Sequence, residues 1–273
     1  MRPTWDVRRL SRKTGEVQIP KVGRVRFRWS RPVPSGVKSF RVTRDRARRW
    51  HVAFAHIPAP GNGQAVGVDR GVTVSAALST GELLHGPSLT AWEAGRLRRL
   101  QRKLARAKRG SNRRAHIRAL IARLRAREAD RRRDWVEKTT TRLAAGFDLI
   151  AVEDLNVRAM TRSAKGTIDA PGTGVRAKTG LNRAILAAGW GRLVQRLEHK
   201  APGRLIKVDP RHTSQTCHAC GHRAPENRES QAVFRCVACG HRANADINAA
   251  RNIQDNIYHQ ACRPVFVSAA APR

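Results

Sequence analysis

The segment Cys217-His-Ala-Cys-Gly-His222 is echoed by Cys236-Val-Ala-Cys-Gly-His241, and Asn244-Ala-Asp-Ile-Asn-Ala-Ala-Arg251 follows directly. Two Cys-x-x-Cys knuckles are thus separated by 15 residues, the spacing of a four-thiolate zinc site. Cys217, Cys220, Cys236 and Cys239 close a tetrahedral shell with no open position, which predicts a structural zinc and leaves His218, His222 and His241 outside the shell. Gly221 and Gly240 each follow a ligand cysteine, where the knuckle needs positive φ. Cys262 falls outside the pattern and reads as a free thiol. Asn244 is a good N-cap for a helix over about 245–256, with Asp246 in its first turn. There the helix dipole favours the ionised carboxylate, the form that binds Mg²⁺; simple N-terminal charge complementarity is the plain alternative.

Charge bounds the partner. The 273 residues carry 55 Lys and Arg against 20 Asp and Glu, a net charge of +35. A compact fold with that imbalance repels itself unless a polyanion relieves it, which points to nucleic acid ahead of an anionic membrane surface. Residues 1–20 are basic and lack the apolar stretch of a signal peptide, and no run is long and apolar enough to span a bilayer, so the expected setting is the cytoplasm, in association with the nucleoid. There, cysteines serve as metal ligands more readily than as disulfides.

Upstream of the ribbon the pattern alternates between strands and helices, an α/β arrangement. Residues 1–60 read as a partial β-barrel that binds nucleic acid: Val25, Phe27 and Trp29 alternate with Arg24, Arg26 and Arg28, Pro32 to Gly36 is turn chemistry, and Val37 to Thr43 and Trp50 to His56 are further strands. Pro58 to Gly63 is a linker. Ala65 to Leu78 reads as a buried strand pair interrupted at Asp69-Arg-Gly71, and Asp69 is the sole acid across residues 46–81. A carboxylate in such a run needs a cation or several donors, or it braces the turn at Gly71. Residues 90–143 read as a helical hairpin with an apolar stripe (Leu97, Leu100, Leu104; Ile117, Leu120, Ile121, Leu124) and arginine almost everywhere else. Phe147 to Leu155 is a second buried strand with acids at its end; by period two, Glu153 and Asp154 face opposite ways, so only one belongs to a site. Residues 157–180 read as a mobile basic loop, Leu181 to Lys200 as one amphipathic helix with Ile185, Leu186, Trp190, Leu193, Val194 and Leu197 as its core stripe, and Arg204 to Pro210 as a third strand.

Asp69, Glu153 and Asp246 are three isolated acids in a strongly basic chain. Together they predict a carboxylate cluster that holds Mg²⁺ against phosphates, in the manner of two-metal phosphodiester hydrolysis. Gly67-Val-Asp-Arg-Gly71, Val152-Glu-Asp-Leu-Asn156, Thr213-Ser-Gln-Thr-Cys-His-Ala-Cys-Gly221 and Asn244-Ala-Asp-Ile-Asn-Ala-Ala250 resemble, in order, the signature of the OrfB/TnpB proteins of bacterial insertion sequences, relatives of the type V CRISPR effectors. The resemblance spans about residues 20–253. It implies a RuvC-like nuclease domain with the RNase H fold, a mixed sheet with an inserted helical hairpin and an inserted zinc ribbon. It also implies Mg²⁺-dependent cleavage of a DNA target selected by a transposon-derived guide RNA, in a protein of a kind often labelled a transposase. Asp69, Glu153 and Asp246 become the catalytic metal ligands, and the four cysteines the zinc ligands. The implied division is a partial barrel over 1–60, a nuclease core over 61–212, the ribbon over 213–242, the last core helix over 243–257 and a tail over 258–273. Members of the family usually carry a longer N-terminal region, with an inserted helical recognition lobe ahead of the Val22–Val52 strands; here the sequence begins almost at those strands.

Overall fold

The structure, a computed structural model, describes residues 6–33, 37, 39–45, 48–55 and 63–261. The expected turn through Gly36, most of the linker before Gly63, and Cys262 with the rest of the tail lie outside the described residues. The chain divides into two units, Met1–Ile57 and Pro58–Arg273.

The first unit holds β1 (Val7–Arg9), β2 (Thr14–Ile19) and β3 (Gly23–Arg28) in one antiparallel sheet, and β4 (Ser39–Arg44) and β5 (Trp50–Ala55) in a second. The expected barrel wall is therefore not continuous among the described residues; Pro32, which has no N–H to offer a ladder, stands in the connection between the two sheets. Aromatic packing links them: Phe27 stacks on Trp29 at 5.6 Å and meets Phe54 at 5.9 Å, and Phe54 lies 6.4 Å from Phe40. Gly15 makes room for this cluster, since a Cβ there would sit 2.2 Å from the Trp29 ring.

In the second unit β6 (Ala65–Asp69), β7 (Ala76–Leu78) and β8 (Leu83–Leu84) form an antiparallel meander, while β9 (Leu149–Glu153) and β10 (Leu205–Val208) lie parallel on the other side of β6. The order β10-β9-β6-β7-β8 is the mixed five-stranded sheet of the RNase H fold, with the first strand central. Alternation of side chains sorts the residues onto two faces. Val66, Val68, Ile150 and Val152 face a core closed by Val136, Leu143 and Ala144 of α2 (Asn112–Gly146) and by Leu193 and Leu197 of α5 (Trp190–Lys200). Ala65, Ala151 and Val208 face Ile253 and Ile257 of α6 (Ala245–Ala261).

The helical hairpin is α1 (Ala91–Arg106) followed by α2. Thr90 and Glu93 form a reciprocal capping box on α1, and Ser111 caps α2. The distal half of the hairpin is held by Leu97, Leu100, Ile117 and Leu124, as the apolar stripe predicts. Two expectations between 157 and 200 are corrected. Residues 157–180 are not all loop: a short α3 (Val157–Met160) is followed by α4 (Val175–Ala188). The single helix expected over 181–200 is two, because Gly189 adopts φ 74° and breaks it, a conformation glycine takes at little cost. Leu186, assigned to the stripe, points outward and is 63% exposed. At the ribbon, β11 (Val233–Arg235) pairs with β12 (Arg242–Asn244), and Gly221 and Gly240 take φ of 74° and 72°.

Candidate active site and metal centre

The site is built where three chain segments end. Ala65↔Leu149, Gly67↔Ala151 and Val68↔Val152 pair in parallel register, so the next step along brings Asp69 beside Glu153. Both occupy odd positions, on the face covered by α6, whose first turn carries Asp246. The close approach of that helix has a local cause: a Cβ on Gly67 would lie 1.9 Å from the Ala250 carbonyl oxygen and 2.6 Å from the Gln254 nitrogen. Glycine at 67 lets α6 lie almost on the backbone of β6. Asn244 fixes the start of the helix, its Oδ1 accepting from Asp246 N at 3.0 Å and from Ile247 N at 3.1 Å.

Asp69, Glu153 and Asp246 line one cavity of about 270 Å³, together with Arg70, Thr213 and Arg228 among others. Asp154, the other acid at the end of β9, is exposed. Asp148 is away from the cavity at the opposite end of the same strand, where its Oδ2 accepts from Gly63 N at 2.5 Å. Burial, reinforced by the charges of Glu153 and Asp246, pushes the Asp69 carboxyl up to about 7, with Arg228 opposing. Burial also raises Glu153, against the Thr213 hydroxyl and Arg70, and raises Asp246, against Arg228. Three carboxyls that each resist ionisation beside one another form a site short of positive charge, in a chain that has it in excess. A bound divalent cation is what such a donor set fits: oxygen ligands, crowded, and shielded on one side by the sheet.

Three neighbours were not singled out from sequence as site residues. Arg228 Nη2 lies 3.6 Å from Asp246 Oδ1; it comes from the ribbon's loop between the two knuckles, where no spacing rule marks it. Arg70, 5% exposed, donates through Nη2 to the Glu153 carbonyl oxygen. Thr213, 4% exposed, donates to Glu153 Oε1 at 2.6 Å. Both stand inside the quoted motifs, and their position there was the available signal. Trp190, expected in the core, is 6% exposed and donates from Nε1 to the Gly71 carbonyl at 3.1 Å, bracing the turn after Asp69.

The second centre is the ribbon. The sulfurs of Cys217, Cys220, Cys236 and Cys239 all lie within 4.8 Å of one another, with Cys217–Cys239 at 3.8 Å and Cys220–Cys236 at 3.6 Å. Disulfides require about 2.05 Å, and all four thiols are free. A tetrahedron with metal–sulfur bonds of about 2.3 Å has edges of about 3.8 Å, so the donor set fits zinc. Without a metal three of the thiols differ: hydrogen bonding from the Cys239 backbone N–H lowers Cys236 to about 6, burial pushes Cys217 up, and Cys220 is pushed up to about 12, so of these Cys236 is the first to reach the thiolate that a metal takes. None of the three histidines belongs to this four-residue group; His218 instead meets Asp255 of α6, Nδ1 to Oδ2 at 2.9 Å.

The chain resembles known proteins over most of its length. Residues 39–164 match the family profile of the insertion-sequence OrfB proteins, described as "Probable transposase", and residues 190–253 match the "Cas12f1-like, TNB domain". The chain is 39% identical over 253 residues to the "Putative RNA-guided DNA endonuclease InsQ" of Escherichia coli K12, covering 90% of this chain and 63% of that one. It is 35% identical over 252 residues to a "Putative RNA-guided DNA endonuclease" of Streptomyces pristinaespiralis, covering 88% and 59%. The chain thus spans about three-fifths of the length of these relatives. Among solved structures, a Cas12f1 complex with guide RNA and target DNA superposes with a TM-score of 0.41 at 20% identity, over 78% of this chain and 55% of that one. With two family profiles matched in chain order and relatives at this identity over most of its length, the chain is similar to the OrfB/TnpB proteins of insertion sequences.

Proposed function

We propose that this chain is a divalent-metal-dependent DNA endonuclease of RuvC-like chemistry, directed to its target by a bound RNA. The observation that carries the reading is the convergence of Asp69, Glu153 and Asp246 on one cavity, each carboxyl pushed toward its neutral form by burial. Asp69, Glu153 and Asp246 would hold Mg²⁺, which when bound supplies charge neutralisation and an activated water for in-line phosphodiester hydrolysis. Arg228, beside Asp246, is placed to meet a phosphate at the same cavity. The four cysteines would hold a structural zinc that shapes the ribbon from which Arg228 projects. The names of the E. coli and Streptomyces relatives support the RNA-guided assignment.

The partner surface in this reading is the distal half of the helical hairpin. Near the base, Glu128, Asp130 and Asp134 pair with Arg125, Arg132, Arg133 and Lys138, and Glu137 pairs with Arg196 and Lys200. Toward the tip, Arg98, Arg99, Arg102, Arg106, Arg118 and Arg123 are exposed and have no acidic partner among the described residues. One-signed charge at that density is suited to track a phosphate backbone.

The test is cleavage of a matched DNA by protein purified with its co-expressed RNA, with and without Mg²⁺. Cutting that needs both, and that Asp69→Ala, Glu153→Gln and Asp246→Ala each abolish with the fold retained, is the expected result. Tight RNA and DNA binding without cutting by the wild type would favour a non-cleaving, RNA-directed binding protein instead.

A further inference from the structure

Among the described residues the carboxylate of Glu153 has one side-chain donor, and it comes from the approach to the zinc ribbon. Thr213 Oγ1 lies 2.6 Å from Glu153 Oε1, with the Pro210 carbonyl at 3.1 Å as a second, longer acceptor. No arginine or lysine is ion-paired with Glu153 among the described residues, so a hydroxyl sets the direction of this side chain. The main chain at the same residue is anchored from the other side by Arg70. Thr213 is itself held by α6, the helix that carries Asp246. Asn252 Nδ2 donates to the carbonyls of Thr213 at 2.8 Å and Thr216 at 2.7 Å; Asn248 Nδ2 donates to Thr216 O at 2.8 Å and its Oδ1 accepts from His218 N at 3.1 Å. Asn248 and Asn252 are 1% and 8% exposed, so these are interior bonds that water cannot easily replace. The run from Thr213 to His218 is thereby laced along one side of α6, and its first residue reaches into the carboxylate cluster.

We infer that Thr213 is a positioning residue for Glu153, aiming its carboxylate at a bound cation and tying the cation affinity of the site to the stalk of the zinc ribbon. The inference rests on reading the three carboxylates as a divalent-cation site. A donor that orients a metal-binding carboxylate is worth about tenfold to a hundredfold in metal affinity. Threonine suits the task because its single hydroxyl proton can be committed to Glu153 while its methyl group packs in a dry position; valine keeps the shape and removes the proton.

The test uses the 273-residue chain without nucleic acid, titrated with Mn²⁺ alone and followed by the electron paramagnetic resonance signal of the free ion. Zinc content and melting temperature are measured alongside. Thr213→Val is expected to weaken Mn²⁺ binding at least about tenfold, with zinc content unchanged, while Thr213→Ser keeps the donor and loses clearly less than that. Wild-type affinity in Thr213→Val, or a loss in Thr213→Ser as large as that in Thr213→Val, overturns the inference. If the valine variant does not fold, Thr213→Ala replaces it in the same comparison with Ser. Asp69→Asn serves as the separate control: if it leaves Mn²⁺ binding untouched, the cation-site reading itself fails, whatever Thr213 does.

Discussion

Replacing Asp69 by Asn should stabilise the magnesium-free protein, and the gain should depend on pH in a defined direction. The Asp69 carboxyl is moved from an ordinary value of 3.8 to about 7 by burial and by its two acidic neighbours. Because the folded value is the higher one, between these limits the folded state holds a proton that the unfolded chain has released. Stability from this group is therefore full below 3.8, is lost as pH rises through the window, and reaches a constant penalty above about 7. At 1.36 kcal/mol per unit the full penalty is about 4 kcal/mol; the cavity is open enough to admit water, so about 2 kcal/mol is the expected part at pH 8. Asn keeps the shape and cannot ionise. Urea unfolding of both proteins in magnesium-free buffer, with zinc retained, should show no difference near pH 4 and a more stable Asn variant by about 2 kcal/mol at pH 8. Added Mg²⁺ should close the gap by stabilising only the wild type. If Asp69→Asn is equal to or less stable than wild type at pH 8, the carboxylates are not in electrostatic conflict and the argument for a cation site from burial and mutual charge is wrong.

Three further outcomes follow from the packing and the charge pattern. Gly67→Ala places a Cβ 1.9 Å from the Ala250 carbonyl, a backbone atom with little room to yield, and should lower stability by about 2–3 kcal/mol in thermal unfolding; an unchanged melting temperature would mean α6 is not seated on β6 as described. Cys220→Ser should release zinc, seen by metal analysis, and loosen the ribbon, whereas Asp246→Ala should retain zinc and lose cutting, so the pair separates a structural from a catalytic centre. Joint replacement of Arg98, Arg102 and Arg118 by Gln should weaken nucleic-acid binding and reduce the slope of log K against log salt by about three; an unchanged slope would remove the hairpin tip from the contact surface.

The core strands were legible as short continuous apolar runs, covered on both faces, and the hairpin as an apolar stripe of period 3.6 on an otherwise basic pair of helices. Val66 and Val68, and Ile150 and Val152, lie in the two runs read as buried strands, and Leu97, Leu100, Ile117 and Leu124 lie where helical spacing put them. Period-two parity alone separates Glu153 from Asp154, and Asp154 is the exposed one. Other features were not legible because they depend on contacts between distant segments. The break at Gly189 looks in sequence like a tolerated glycine inside an amphipathic helix; its cause is a backbone conformation, and Leu186 is exposed as a result of how the two helices then lie. Arg228 carries no periodicity and no motif spacing, and only the fold of the ribbon brings it to Asp246. The convergence of the three acids needed Gly67, whose role is to be absent: it reads as an unremarkable small residue until the helix that crosses it is known.

The distribution of charge over the chain points the same way. In a chain of net charge +35, most acidic side chains are taken up by arginine or lysine, including every acid on the long hairpin. Asp69 and Glu153 are partly or fully buried and yet make no ion pair among the described residues, while Asp246 has Arg228 only at 3.6 Å. With arginine so abundant, an unpaired carboxylate pair could easily have been neutralised by a single substitution nearby. Instead the donors at these acids are a threonine hydroxyl and backbone groups, which orient a carboxylate without cancelling its charge. Arg70, the buried cation closest in sequence, spends an N–H on the Glu153 carbonyl and not on the carboxylate. A fold that only needed stability would have closed these pairs. One that must accept a divalent cation, and then a phosphate, has to leave them open, and the cost of doing so is the instability that Asp69→Asn is expected to remove.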